Sequence, residues 1–130
     1  MDSFGRNELH YLILDRPESE HEVGIKKMVE SGLDINSQDK KGWSALHFAA
    51  QENSIAAVKT LLDCGAKTEV TDSFGNTPLF RAVFSEKGED IIIKLLLAAG
   101  ADPDSVNKHG VSPRILASTI GHLNVVICFE

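Results

Sequence analysis

Side chains able to do chemistry are plentiful in this chain, but they are not gathered. Five histidines (His10, His21, His47, His109 and His122) have the donor atoms of a general base or a metal ligand. Cys64 and Cys128 have those of a nucleophile or a thiolate ligand. Either job needs more than the residue type. A metal wants ligands at short, fixed intervals, and a nucleophile wants a base beside it. The histidines lack metal-ligand spacing, and neither cysteine has a CxxC neighbour or suggests a disulfide framework. There is no G-x-x-x-x-G-K-[ST], no G-x-S-x-G, no H-E-x-x-H and no EF-hand loop. We therefore expect no catalytic residue, no metal and no cofactor, and discount a small enzyme.

Bulk properties narrow the class. Apolar residues make up 42% of the chain, ordinary for a globular protein, and no apolar run nears the roughly 18 residues a membrane span requires. Asp2, Arg6, Asn7 and Glu8 leave no room for a signal-peptide core at the start. A cytoplasmic protein without a membrane role is expected. The formal net charge of −6 argues against a nucleic-acid partner, whose affinity comes from Lys and Arg neutralising phosphates. It suits a basic protein partner through steering, or serves solubility alone.

The elements that must position any functional side chain are clearest from Asp39 to Thr71. Asp39 and Gly42 predict a turn, and Ser44 an N-cap. Ala45, Leu46, Ala49 and Ala50 follow at the spacing of one helical face; Ile55, Val58, Leu61 and Leu62 do so again before Gly65. The unit recurs. Gly5, Gly42, Gly75 and Gly110 stand 37, 33 and 35 residues apart, and Gly32, Gly65 and Gly100 mark the close of the second helix. The segment Thr77-Pro78-Leu79-Phe80-Arg81-Ala82 has in-register counterparts in Ser44-Ala45-Leu46-His47-Phe48-Ala49 and Ser112-Pro113-Arg114-Ile115-Leu116-Ala117.

A period near 33 with a turn, two helices and a T-P-L-H-x-A opening resembles the ankyrin repeat along essentially the whole chain. The resemblance implies an all-α fold, a solenoid of about four helix-turn-helix repeats joined by β-turn hairpin loops. The repeats are placed at 2–38, 39–71, 72–106 and 107–130 of a single domain, with Cys64 and Cys128 on second helices as small apolar residues. His10 and His47 fall where the family often has histidine, which implies side-chain bonds to backbone that tie neighbouring hairpins. Two loops run long, Asp15 to Glu22 around Pro17 and Ser85 to Asp90. The first is open to reading as a solvated loop or as an acidic contact patch. The helix from Ile91 to Leu97 is the most apolar and is expected to be sandwiched on both sides. Gly121 to Val126 matches a second-helix start. Arg114 stands where the motif has leucine and is expected to point outward, while Cys128 and Phe129 leave an apolar end exposed.

The same resemblance implies that hairpin tips and first helices line a face that binds another protein. Its positions here are Ser3, Phe4 and Arg6, then Lys40, Lys41, Trp43, Gln51 and Glu52. The third and fourth repeats add Ser73, Phe74, Asn76, Phe84, Ser85, Lys108, His109 and Val111. Trp43, at a position expected to be largely exposed, either packs on a neighbour or serves an interface. With no second domain or tail in view, the expectation is a non-catalytic binder, monomeric when free, that occludes a partner such as a basic toxin or an enzyme. In fold and size it is similar to compact bacterial ankyrin immunity proteins. The alternative is a scaffold, adaptor or assembly chaperone bridging partners.

Overall fold

Each first helix is begun by a side chain that accepts an orphan backbone N–H. Asn7 Oδ1 accepts from His10 N at 3.0 Å, Ser44 Oγ from His47 N at 3.4 Å, Thr77 Oγ1 from Phe80 N at 3.4 Å and Ser112 Oγ from Ile115 N at 3.1 Å. In a computed structural model, residues 3–85, 90–120 and 128–129 are described. Among them run seven α-helices and no strand: α1 (Glu8–Asp15), α2 (His21–Glu30), α3 (Ala45–Gln51), α4 (Ile55–Asp63), α5 (Pro78–Ser85), α6 (Ile91–Ala98) and α7 (Pro113–Ile120). One turn of 3-10 helix, Glu18–Glu20, follows Pro17. Pro78 and Pro113 open α5 and α7, where a missing N–H costs nothing.

The helices form two rows, and the fold is the all-α solenoid the sequence predicts. In one row α3 packs between α1 and α5, and α5 packs on to α7; in the other α4 packs between α2 and α6. Leu9, Leu46 and Leu79, at equivalent places in α1, α3 and α5, are at most 1% exposed. Ile25, Val58, Leu61, Ile93 and Leu96 fill the second row at 1% or less. Burying each such side chain contributes about 1.5–3 kcal/mol, so the stack is held by neighbours more than by any one repeat.

Backbone bonds also join the hairpins. Lys40 N donates to Phe4 O, Ser73 N to Lys41 O and Lys108 N to Phe74 O, each at 2.9 Å. Close approach explains Gly42: at φ 82°, an added Cβ would lie 2.8 Å from Asp72 Cα. Only glycine takes both the left-handed backbone and that contact without strain.

Several expectations change. In α6, Ile92, Ile93 and Leu96 are buried, while Ile91 is 42% exposed and Leu95 and Leu97 are half-buried; the neighbour expected on its far side falls on 121–127, outside the described residues. One stripe of a helix faces the core whatever the other stripes are made of. Phe129 is buried rather than exposed, and its carbonyl accepts from Arg114 Nη1. Arg114 itself points outward and bonds Asp104 Oδ1 through Nε at 2.7 Å. Cys64 and Cys128 are half-buried, Cys64 just past the end of α4. Burial and the Asp90 carboxylate push the Cys128 thiol above its ordinary value, against thiolate chemistry. The loop expected at Ser85 to Asp90 and the helix start expected at Gly121 to Val126 fall largely on 86–89 and 121–127, outside the described residues.

Candidate protein-interaction face

Four hairpins end the repeats at one edge of the first-helix row, and an Asx side chain closes three of them. Asp39 Oδ1 accepts from Lys41 N and Trp43 N, both at 2.9 Å. Asp72 Oδ1 accepts from Phe74 N at 2.9 Å and Asn76 N at 3.0 Å, and Asn107 Oδ1 from His109 N and Val111 N. These three hairpins thus share one backbone form and carry Lys41, Phe74 and His109 at the tip, with Phe4 at the matching place in the first.

Between the tips and the first helices lie two arginines set on aromatic rings. The Arg6 guanidinium is 4.8 Å from the Phe4 ring centre and 5.3 Å from that of Phe48, with Tyr11 further off at 5.9 Å. Arg81 sits 4.5 Å over Trp43 and 5.9 Å from Phe84. Such contacts contribute roughly 0.5–2 kcal/mol each, more when water is excluded. The aspartates anchor the arginines from below. Arg6 Nε lies 3.7 Å from Asp39 Oδ2 and Arg81 Nη2 is 3.0 Å from Asp72 Oδ2, with the two carboxylates only 4% and 0% exposed. A hollow of about 260 Å³ opens between Trp43, Phe74, Lys41 and the two arginines.

Most of the expected face is brought together here. Phe4, Phe74 and Phe84 are exposed at 55%, 53% and 55%, and Ser3, Lys40, Lys41, Glu52, Ser73, Lys108 and His109 are exposed too. Trp43 is less exposed than expected and packs on its neighbours. It is half-buried, 4.9 Å from the Phe48 ring and 5.8 Å from that of His47, because Arg81 covers its other side. Asn76 is buried at 6% and works as a joint: its carbonyl takes His47 Nε2 at 2.8 Å and its Oδ1 takes Asn107 Nδ2 at 2.8 Å. Gln51 and Ser85 are half-buried, and Ser85 Oγ donates to Gln51 O at 2.8 Å. Val111 is half-buried as well.

The histidine ties are present. His10 Nε2 reaches Ser37 O at 2.9 Å and His47 Nε2 reaches Asn76 O at 2.8 Å. His47 Nδ1 accepts from Ser44 N at 3.1 Å, so the ring carries its proton on Nε2 and donates it across the repeat boundary. Burial holds the His47 pKa below its ordinary value of 6.5.

Several site residues escaped the sequence reading. Tyr11, Phe48 and Arg81 share the position after the motif's fourth residue, so the repeat register itself could have found them. His21 is 3% exposed, with Nε2 donating to Arg16 O at 2.9 Å and Nδ1 accepting from Ser54 Oγ at 2.8 Å. Glu18 Oε2 accepts from Ala56 N at 2.9 Å, a carboxylate placed at the positive end of α4. Glu20 and Glu22 pair with Arg16 and Lys26. These carboxylates of the first long loop are engaged within the chain.

A model of three ankyrin repeats matches residues 9–107. The chain belongs to the ankyrin-repeat family. Ankyrin repeats are protein–protein interaction modules, generally without catalysis, and this array is similar to one part of larger proteins. It is 32% identical over 105 residues to the ankyrin repeat, SAM and basic leucine zipper domain-containing protein 1 of Equus caballus, covering 78% of this chain and 22% of that protein. The proteins of the same name from Oryctolagus cuniculus and Bos taurus match at 32% and 30% identity over the same lengths. The ankyrin array therefore spans about a fifth of the curated relatives it matches. Among its described residues, no helix is long and apolar enough to cross a membrane.

Proposed function

We propose that the chain is a non-catalytic binder that holds another protein against its hairpin tips and first helices and thereby occludes it. In this reading it is a cytoplasmic inhibitor or immunity protein acting on a toxin or an enzyme. The observation that carries it is the set of exposed rings, Phe4 and Phe74 on backbone joined from hairpin to hairpin and Phe84 on α5. Rings on a rigid scaffold give contact area with little ordering cost. Trp43 and the arginines form the floor, and Lys40, Lys41, Gln51, Glu52, Ser85, Lys108 and His109 the polar surround.

A second reading, a scaffold or adaptor joining partners, is favoured by the relatives, in which the matched array is one part of a much longer protein. Capture from native extract on immobilised protein, followed by calorimetry with the purified partner, tests both. Phe74→Ala and Trp43→Ala should each weaken binding by at least about 2 kcal/mol, the hot-spot threshold. Phe74, being exposed, is the cleaner variant, and circular dichroism shows that each is folded. Full affinity in both variants would move the site off this face. One tight partner that loses its own activity supports occlusion; several partners bound at once support the adaptor.

A further inference from the structure

The chain is acidic as a whole, yet the face just described is not. Resting on the proposed binding role of that face, we infer that it docks an acidic, extended peptide segment of the partner, with an apolar side chain on either side of a carboxylate three residues away.

Charge complementarity is the first support. Asp39 and Asp72 lie beneath the tips, 4% and 0% exposed, their oxygens taken by hairpin N–H groups and by Arg6 and Arg81. They project little field outward. Lys40, Lys41 and Lys108 are exposed and form no ion pair with any described residue. Arg81 Nε is buried with no acceptor among the described residues. Apart from Glu8, Asp15 and Glu52, the exposed carboxylates described here lie on the second helices or the loops that flank them. The net charge of −6 is a sum over the whole surface and hides a locally cationic edge.

Spacing is the second. Phe4, Lys41 and Phe74 occupy the same register, and their carbonyls accept the bonds that join one hairpin to the next. First helices that pack face to face stand about 8–10 Å apart, so equivalent tips recur at about that step. A polyproline II segment rises about 3.1 Å per residue and returns to the same side every third residue, a step of about 9 Å. The tip order of ring, ammonium, ring is therefore met by apolar, acidic and apolar side chains at i, i+3 and i+6. A polyphosphate would be held less well, since few cations are free to neutralise it.

The test uses fluorescence anisotropy with the full chain and labelled peptides. The probe is Phe-Pro-Glu-Glu-Glu-Pro-Phe; the controls are its lysine counterpart, Phe-Pro-Lys-Lys-Lys-Pro-Phe, and a permuted form with both phenylalanines adjacent. The acidic probe should bind at least about tenfold more tightly than either control and weaken as salt rises. Lys41→Glu with Lys108→Glu should reverse the preference between the acidic and lysine peptides, whereas Lys26→Glu with Lys27→Glu on α2 should leave it unchanged. The milder Lys41→Gln, Lys108→Gln pair should reduce the preference, which covers loss of fold in the reversed pair. Equal binding of the two charge forms, or of the permuted peptide, overturns the inference. So does a labelled oligothymidylate that binds more tightly than the acidic probe, since stacking bases would then be the better occupant. A silent peptide with partner capture still lost in Phe74→Ala would leave the binding face standing and remove only the acidic segment.

Discussion

Between the second and third repeats, Leu46 is buried and His47 donates through Nε2 to Asn76 O at 2.8 Å. One repeat further on, Phe80 stands in the histidine's place at 8% exposed, and the next helix carries Arg114 where the others have leucine. The polar link there is instead Asn107 Nδ2 to Asn76 Oδ1 at 2.8 Å. The inner junction is therefore a directional lock between a ring and a carbonyl, set in apolar packing. The last is a packed ring with an amide pair at its margin. The two should differ in what breaks them, and pH is a lever on only one.

The largest contrast lies at the leucine position. Leu79→Ala, which empties a site at 0% exposed, should cost about 2–5 kcal/mol in a denaturant titration. Arg114→Ala should shift the midpoint far less, because its ion pair with Asp104 is 44% and 64% exposed and the rest of its loss is one bond to the Phe129 carbonyl. Equal losses would mean that the last junction is as tightly built as the inner ones.

Next comes the lock. His47→Ala should cost about 1–3 kcal/mol, since it empties a fully buried site and removes one of the two donors to the Asn76 carbonyl, leaving only Asp72 N. Phe80→Leu, a swap between apolar side chains, should cost less than about 1.5 kcal/mol. A smaller loss at His47 than at Phe80 would reverse the assigned roles.

The smallest effect is pH. Burial lowers the His47 pKa in the folded chain, so below about 6.5 the unfolded chain takes up a proton that the folded chain refuses. Stability from this group is whole above the ordinary value and is lost as pH falls towards the folded one. Tm should drop between about pH 8 and about pH 5, and drop less in His47→Gln, which cannot take up the proton. Identical pH profiles for the two proteins would remove His47 as the source.

Much of this was visible in the chain. Glycine spacing gave the period, and the cap at Ser44 gave the start of α3, because both depend on neighbours a few residues away. The histidine ties followed from the resemblance. Other features depend on distance in space. Nothing beside Glu18 in sequence says that it will meet Ala56, and nothing beside Asn76 says that three repeats will converge on it. Trp43 was undecided because its burial depends on Arg81, which reaches it from the next repeat. The cationic edge was hidden for a simpler reason: a total charge carries no directions.

The bonds that join Phe4 to Lys40, Lys41 to Ser73 and Phe74 to Lys108 run from carbonyl to amide and use no side-chain atom. Every residue type has a carbonyl, so the tips at Phe4, Lys41 and Phe74 can be exchanged without removing a link from the stack. If the proposed binding face is right, selection on partner choice and selection on persistence of the fold then act on separate atoms of the same residues. A lineage carrying this array could change what it recognises one tip at a time, passing through intermediates that all still fold.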